Sequence, residues 1–127
     1  MDFAYTITTS RTVADVLAAA QSALSQQGFR VLCVHDVRAT LADKGINIEP
    51  MQLIEFCNAK AAYAVLQADP QASLCLPCKI SVYARDNNTV VTAMRPQAIT
   101  QFFPHINLGA LGEELDAKIK AIVDSLK

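Results

Sequence analysis

The stretch KISVYARDNNTVVTAM, residues 79–94, decides the fold. KISVYA alternates apolar and polar side chains, which is the pattern of a half-buried strand. Asp86-Asn87-Asn88 follows at once. Asn and Asp tolerate positive φ, so this triplet has the chemistry of a tight hairpin turn. TVVTAM is the returning strand. A hairpin with alternating rather than continuous apolar residues argues for an antiparallel sheet with one face covered by helices.

Working outward from the hairpin, MQLIEFC at 51–57 is a strand that ends at Asn58, a good N-cap for a helix over 59–68. Asp69-Pro70 stops that helix. LCLPC at 74–78 leads into the hairpin. Near the start, AYTITT at 4–9 alternates and reads as a strand. Thr12 is a plausible N-cap, with Asp15 as a capping-box-like partner. Val13, Val16, Leu17, Ala20 and Leu24 recur at helical spacing until Gly28. FRVLCVH at 29–35 is a second strand, and strict alternation puts Phe29, Val31, Cys33 and His35 on one face. Asp36 caps a short helix ending near Lys44-Gly45. A short helix is expected over 97–103, with FFPH at 102–105 as a loop. The last helix is expected from Leu111 to Leu126, with Glu113 and Glu114 in its first turn, where the macrodipole favours acid. The expected class is α+β, with four to five antiparallel strands and helices on one face.

At 127 residues the chain fits a single domain spanning 1–127, long enough to bury a real core. Hydrophobic residues are 52% and charged residues 18%, which excludes a disordered chain. A net charge of -1 lacks the basic excess of a nucleic-acid domain. No apolar run approaches the ~18 residues of a membrane helix. Asp2 and the lack of an apolar stretch behind it do not suit a secretory leader, so a cytoplasmic setting is expected.

In a reducing compartment the four cysteines, Cys33, Cys57, Cys75 and Cys78, are not expected to form structural disulfides. They read as buried thiols, metal ligands or redox groups. Cys75-Leu-Pro-Cys78 is the sharpest local feature. In thioredoxin-like proteins such a motif opens a helix that lowers the first thiol's pKa. Here a strand follows, which weighs against that reading. A zinc site needs about four ligands, so Cys57 or the Cys33/His35 pair would have to join Cys75 and Cys78. Against both stands plain packing, because free Cys behaves as a small hydrophobe and His35 suits a core or rim position. Phe102, Phe103 and His105, and likewise Tyr63, read more readily as packing residues than as a site. Glu49, Glu55 and Asp36 are scattered. No phosphate loop, nucleophile elbow or His-Glu-x-x-His motif is present.

The order of motifs resembles one family. Gly28-Phe29 opens a strand ending at Asp36-Val37, and Ala39-Thr40-Leu41 follows. Cys57-Asn58, Ala62-Tyr63, Leu66 and Asp69-Pro70 come next. Leu76-Pro77-Cys78 and Thr92-Ala93-Met94-Arg95-Pro96 complete the series. This is similar to the domain of unknown function 302 family over about residues 4–126. The resemblance implies a TATA-binding-protein-like β-α-β(4)-α fold, often as a homodimer, and that fold likeness carries no DNA-binding function with it. It also implies that a family site would rest on Cys57 and Cys78. Cys33, Cys75 and His35 fall outside the family pattern, and Ala59 stands where the family often has proline.

Three kinds of function follow. The leading expectation is a non-enzymatic ligand- or metal-binding module with a thiol site at Cys57, Cys78, Cys75 and Asn58. As a metal centre, zinc would be held by Cys57, Cys75, Cys78 and His35. The alternatives are a thiol-redox or sulfur-handling enzyme, and a structural or interaction protein whose cysteines are only core. If Cys57 and Cys78 share a site, their sulfurs lie within about 8 Å, near disulfide reach. Mean hydropathy of +0.24 and a charge near zero favour pairing of two copies.

Overall fold

The computed structural model of the protein describes residues 2–127. Its sheet holds β1 (Ala4–Thr9), β2 (Arg30–Asp36), β3 (Met51–Cys57), β4 (Cys78–Arg85) and β5 (Asn88–Met94). The spatial order is β1-β5-β4-β3-β2, and every neighbouring pair is antiparallel. The helices are α1 (Val13–Gln26), α2 (Val37–Ala42), α3 (Ala59–Ala68), α4 (Ile99–Phe102) and α5 (Gly109–Asp124). This is the expected α+β fold, with α2 and α3 inserted among the last four strands. Among the described residues no helix is long and apolar enough to cross a membrane.

The hairpin forms as its turn chemistry requires. Arg85 pairs with Asn88, leaving Asp86 and Asn87 as a two-residue loop with φ of 51° and 64°. Positive φ at both central residues matches the twist of the flanking strands. Helix α1 also starts and stops on its local signals. The Thr12 hydroxyl accepts the Asp15 N–H at 3.1 Å. At the other end Gly28 has φ of 83°, Gly28 N–H donates to Ser25 and Phe29 N–H to Leu24. That is a Schellman closure, and it delivers Phe29 straight into the core. Asp15 does not complete a capping box; its carboxylate pairs instead with Arg11 at 2.7 Å.

Alternation assigns the faces. Ile7, Ile54, Phe56, Ile80, Val82, Val91 and Ala93 point to one side and are buried there. Val16, Ala20 and Leu24 of α1 meet them, with Leu115, Ile119, Ile122 and Val123 of α5. Burying each large side chain contributes about 1.5–3 kcal/mol, so this layer holds the fold together. A smaller cluster of Val65, Ala72, Ile99 and Ile106 joins α3 to α4.

Two local expectations are corrected. Val31 pairs with Phe56 but Cys33 pairs with Glu55, so Leu32 is the extra residue of a β-bulge. A bulge shifts alternation by one. Phe29 and Val31 therefore pack in the core, while Cys33 and His35 turn to the opposite face and are exposed. Helix α5 begins at Gly109, not Leu111, with Asn107 accepting the Gly109 N–H at 2.9 Å. Glu113 and Glu114 thus fall in the second turn, and Glu114 pairs with Lys118 at 3.3 Å. Gly112 is required at its position, because a Cβ there would stand 2.8 Å from the Leu108 side chain.

Candidate functional site

The two apolar clusters do not close fully on each other. Between them lies a cavity of about 50 Å³. Phe29, Phe56 and Cys78 line it from the sheet side, Leu115 and Ile119 from α5. Val65 of α3, with Cys75, Ile99 and Leu108, closes it from the smaller cluster, while Ala61 of α3 lines it from the main core. Asn58 and Arg95 supply its polar part.

Each site residue has a local reason for its place. Cys78 pairs with Phe56, so it shares the helix-covered face. Burial pushes its thiol up to about 11, and the neighbouring Cys57 charge adds to the rise. The Cys78 thiol is therefore protonated at neutral pH. Cys75 ends a 3-10 helix, Pro70–Cys75, an element not among those expected from the sequence. It packs against the smaller cluster. Cys57 pairs with Arg30, and alternation alone would send it away from Phe56. It meets the cavity wall because the strand ends there and the chain turns into Asn58. Asn58 caps α3, its Oδ1 accepting the Ala61 N–H at 3.1 Å.

The structure thus gathers Cys57, Asn58, Cys75 and Cys78 around one cavity and leaves His35 out. His35 sits toward the far end of β2, on the other face, with its Nε2 2.8 Å from the Thr40 hydroxyl. The expected four-ligand set of three cysteines and His35 is not assembled, because the bulge turns His35 away. Among the described residues no group of three or more His, Cys, Asp or Glu stands together to hold a metal ion. His105, read as packing, is held 2.9 Å from Asp69 and ties the loop after α4 to the end of α3.

Sequence reasoning missed the Arg95 network. Arg95 directs Nε and Nη2 at the two Asp116 carboxylate oxygens, each at 3.3 Å. Tyr5 donates its hydroxyl to the same carboxylate, and that bond holds its phenol above the ordinary value. The guanidinium lies 5.1 Å from the centre of the Tyr5 ring. The available signal was Arg95-Pro96 directly after a strand, a placement that sets a charged side chain at a sheet end.

A five-stranded open sheet, helices on one face and a small thiol-lined cavity define a class of compact α+β domain. The chain belongs to the domain of unknown function DUF302 family, whose pattern matches residues 5–126. It is similar to the crystal structure of an uncharacterized conserved DUF302 protein from Bacillus stearothermophilus. The two share 26% identity and a TM-score of 0.79, over 99% of this chain and 96% of the other. Among curated proteins none matches the chain.

Proposed function

We propose that the chain is a non-enzymatic binding module whose site is the cavity between its two cores. The observation that carries this reading is a partly open pocket where the two cores fail to close on each other, walled by apolar side chains and a protonated thiol. Interiors normally pack to crystal-like density, so such a gap is a candidate seat for a ligand. Its volume of about 50 Å³ suits a few heavy atoms, or the tip of a longer molecule. The redox alternative is less well supported. A reactive cysteine needs a lowered pKa, and Cys78 is shifted the other way.

Xenon tests the cavity without presuming a ligand, since it enters apolar cavities. Xenon NMR should show saturable binding, and Ala61→Leu should remove it while the melting temperature holds. No uptake by the folded wild type would sink the reading. Elemental analysis of the purified protein checks the competing metal reading; stoichiometric zinc would replace the organic occupant.

Two copies are proposed to pair, in a cytoplasmic setting, through the sheet face opposite α1 and α5. Met51, Leu53, Tyr83 and Val90 share that face by register. A net charge of -1 offers little repulsion between copies. A specific interface would bury at least ~1,000 Å² in total. Light scattering at micromolar concentration should give twice the 13.7 kDa chain mass. Leu53→Arg should return the protein to monomer. A wild-type monomer would remove the pairing.

A further inference from the structure

We infer that the occupant of this cavity is a short apolar chain ending in a carboxylate, its head held by Arg95 and Asn58. This rests on the cavity being the binding site. Arg95 is the one charged side chain in its lining. It cannot swing freely, because Nε and Nη2 are bonded to Asp116 and Nη1 to the Asp2 carbonyl at 3.3 Å. A guanidinium has five N–H groups, so two donors remain for another acceptor. Asn58 adds more. Its Oδ1 is taken by the Ala61 N–H, while its amide nitrogen has no partner among the described residues. Both polar residues of the lining therefore carry spare donors, and the Asn58 oxygen already accepts one hydrogen bond.

That imbalance selects the sign of the head group. A carboxylate only accepts hydrogen bonds and matches the spare donors. An ammonium head would find only the second lone pair of the Asn58 oxygen and would face a guanidinium. A neutral alcohol would fill the apolar part but gain only an uncharged hydrogen bond. Asp116 already balances part of the Arg95 charge, so the carboxylate should gain through directed bonds rather than through a strong field. The small volume argues for a short chain, with the head at the polar lining and the alkyl tail against Phe56, Cys78 and Val65.

The test is an NMR titration of the full chain with butanoate, butan-1-ol and butylamine at matched concentrations. Butanoate should shift the amides of Ala61, Val65 and Cys78 saturably, on the order of tenfold tighter than butanol, the scale of a hydrogen bond to a charged group. Butylamine should not saturate. Arg95→Met should bring butanoate down to the butanol level, but it leaves the Asp116 carboxylate with the Tyr5 hydroxyl alone and can lower stability. Asn58→Asp avoids that difficulty, because Asp caps a helix as well as Asn. It replaces the spare donors with a negative charge. It should abolish butanoate binding and leave butanol unchanged. Butanol or butylamine binding as tightly as butanoate would overturn the carboxylate head while leaving the cavity reading intact. No response to butanoate with xenon still bound would do the same. Failure of xenon and all three probes would overturn the cavity reading itself.

Discussion

Phe56→Ala is expected to remove about 3–5 kcal/mol of stability, the range for deleting a buried aromatic side chain. A domain of this kind is held by only ~5–15 kcal/mol, so the variant should sit near its unfolding threshold. Phe56 is 1% exposed and stands edge-on to Phe29 at 5.3 Å, with their planes 83° apart. Such a pair adds to what area burial alone contributes. On β3 it is flanked by Val31 of β2 and Cys78 of β4, so its ring touches three strands' worth of packing. It also lines the cavity, and removing it enlarges a gap that already fails to collapse. That places the expected loss in the upper part of the range. Urea denaturation measures it. Tyr63→Ala on α3, where the side chain is 67% exposed, is the control and should change stability by less than about 0.5 kcal/mol. A Phe56→Ala loss below about 1.5 kcal/mol would mean that the neighbouring side chains close the space.

The elements that the chain announced locally are the ones that formed as expected. Thr12, Asp36 and Asn58 each accept a hydrogen bond from the backbone three residues on, which is why their helices start there. Asp86 and Asn87 adopt the positive φ their side chains tolerate. What misled was structure set by partners distant in sequence. Nothing in RVLCVHD marks Leu32 as a bulge; the register against β3 creates it. Strict alternation then carries Cys33 and His35 to the wrong face. The start of α5 was misplaced because Asn107 holds it through a turn that apolar periodicity does not report.

The site was legible in part for the same reason. Cys57-Asn58 and Cys75 to Cys78 lie at element ends, and the helix between them brings the chain back to one place. Their gathering around a cavity follows from short connections. The Tyr5, Arg95 and Asp116 network joins β1, the end of β5 and α5, and Tyr5 and Asp116 are 111 positions apart. No spacing rule reaches that far. Only the pairing of β1 with β5, which sets Tyr5 opposite Ala93, makes the contact visible.

The alkaline limb of the stability curve should carry the signature of Cys78. Its folded pKa is about 11 against an ordinary 9.0, with burial the main cause and Cys57 the second. For an acid raised by folding, the unfolded chain releases its proton first. Between pH 9 and 11 the folded state binds more protons, so stability falls as pH rises. Below pH 9 both states are protonated and the advantage of the neutral thiol is fully present. At about 1.4 kcal/mol per pH unit, the full shift corresponds to roughly 2–3 kcal/mol lost across that window. Tyr5 titrates in the same direction above its own ordinary value, so the wild-type curve alone does not isolate the thiol. Cys78→Ala does. The variant will be less stable throughout because a packed sulfur is gone, but its slope between pH 9 and 11 should be shallower. Urea midpoints at pH 8, 9.5 and 11, with reductant present, give the comparison. Parallel curves for the two proteins would show that Cys78 reaches solvent in the folded state. Cys57→Ser should remove only a small part of the slope, because the neighbouring charge is the lesser cause. A slope lost entirely in that variant would reverse the order, and would make coupling between the two thiols, not burial, the feature that keeps the cavity's sulfur protonated.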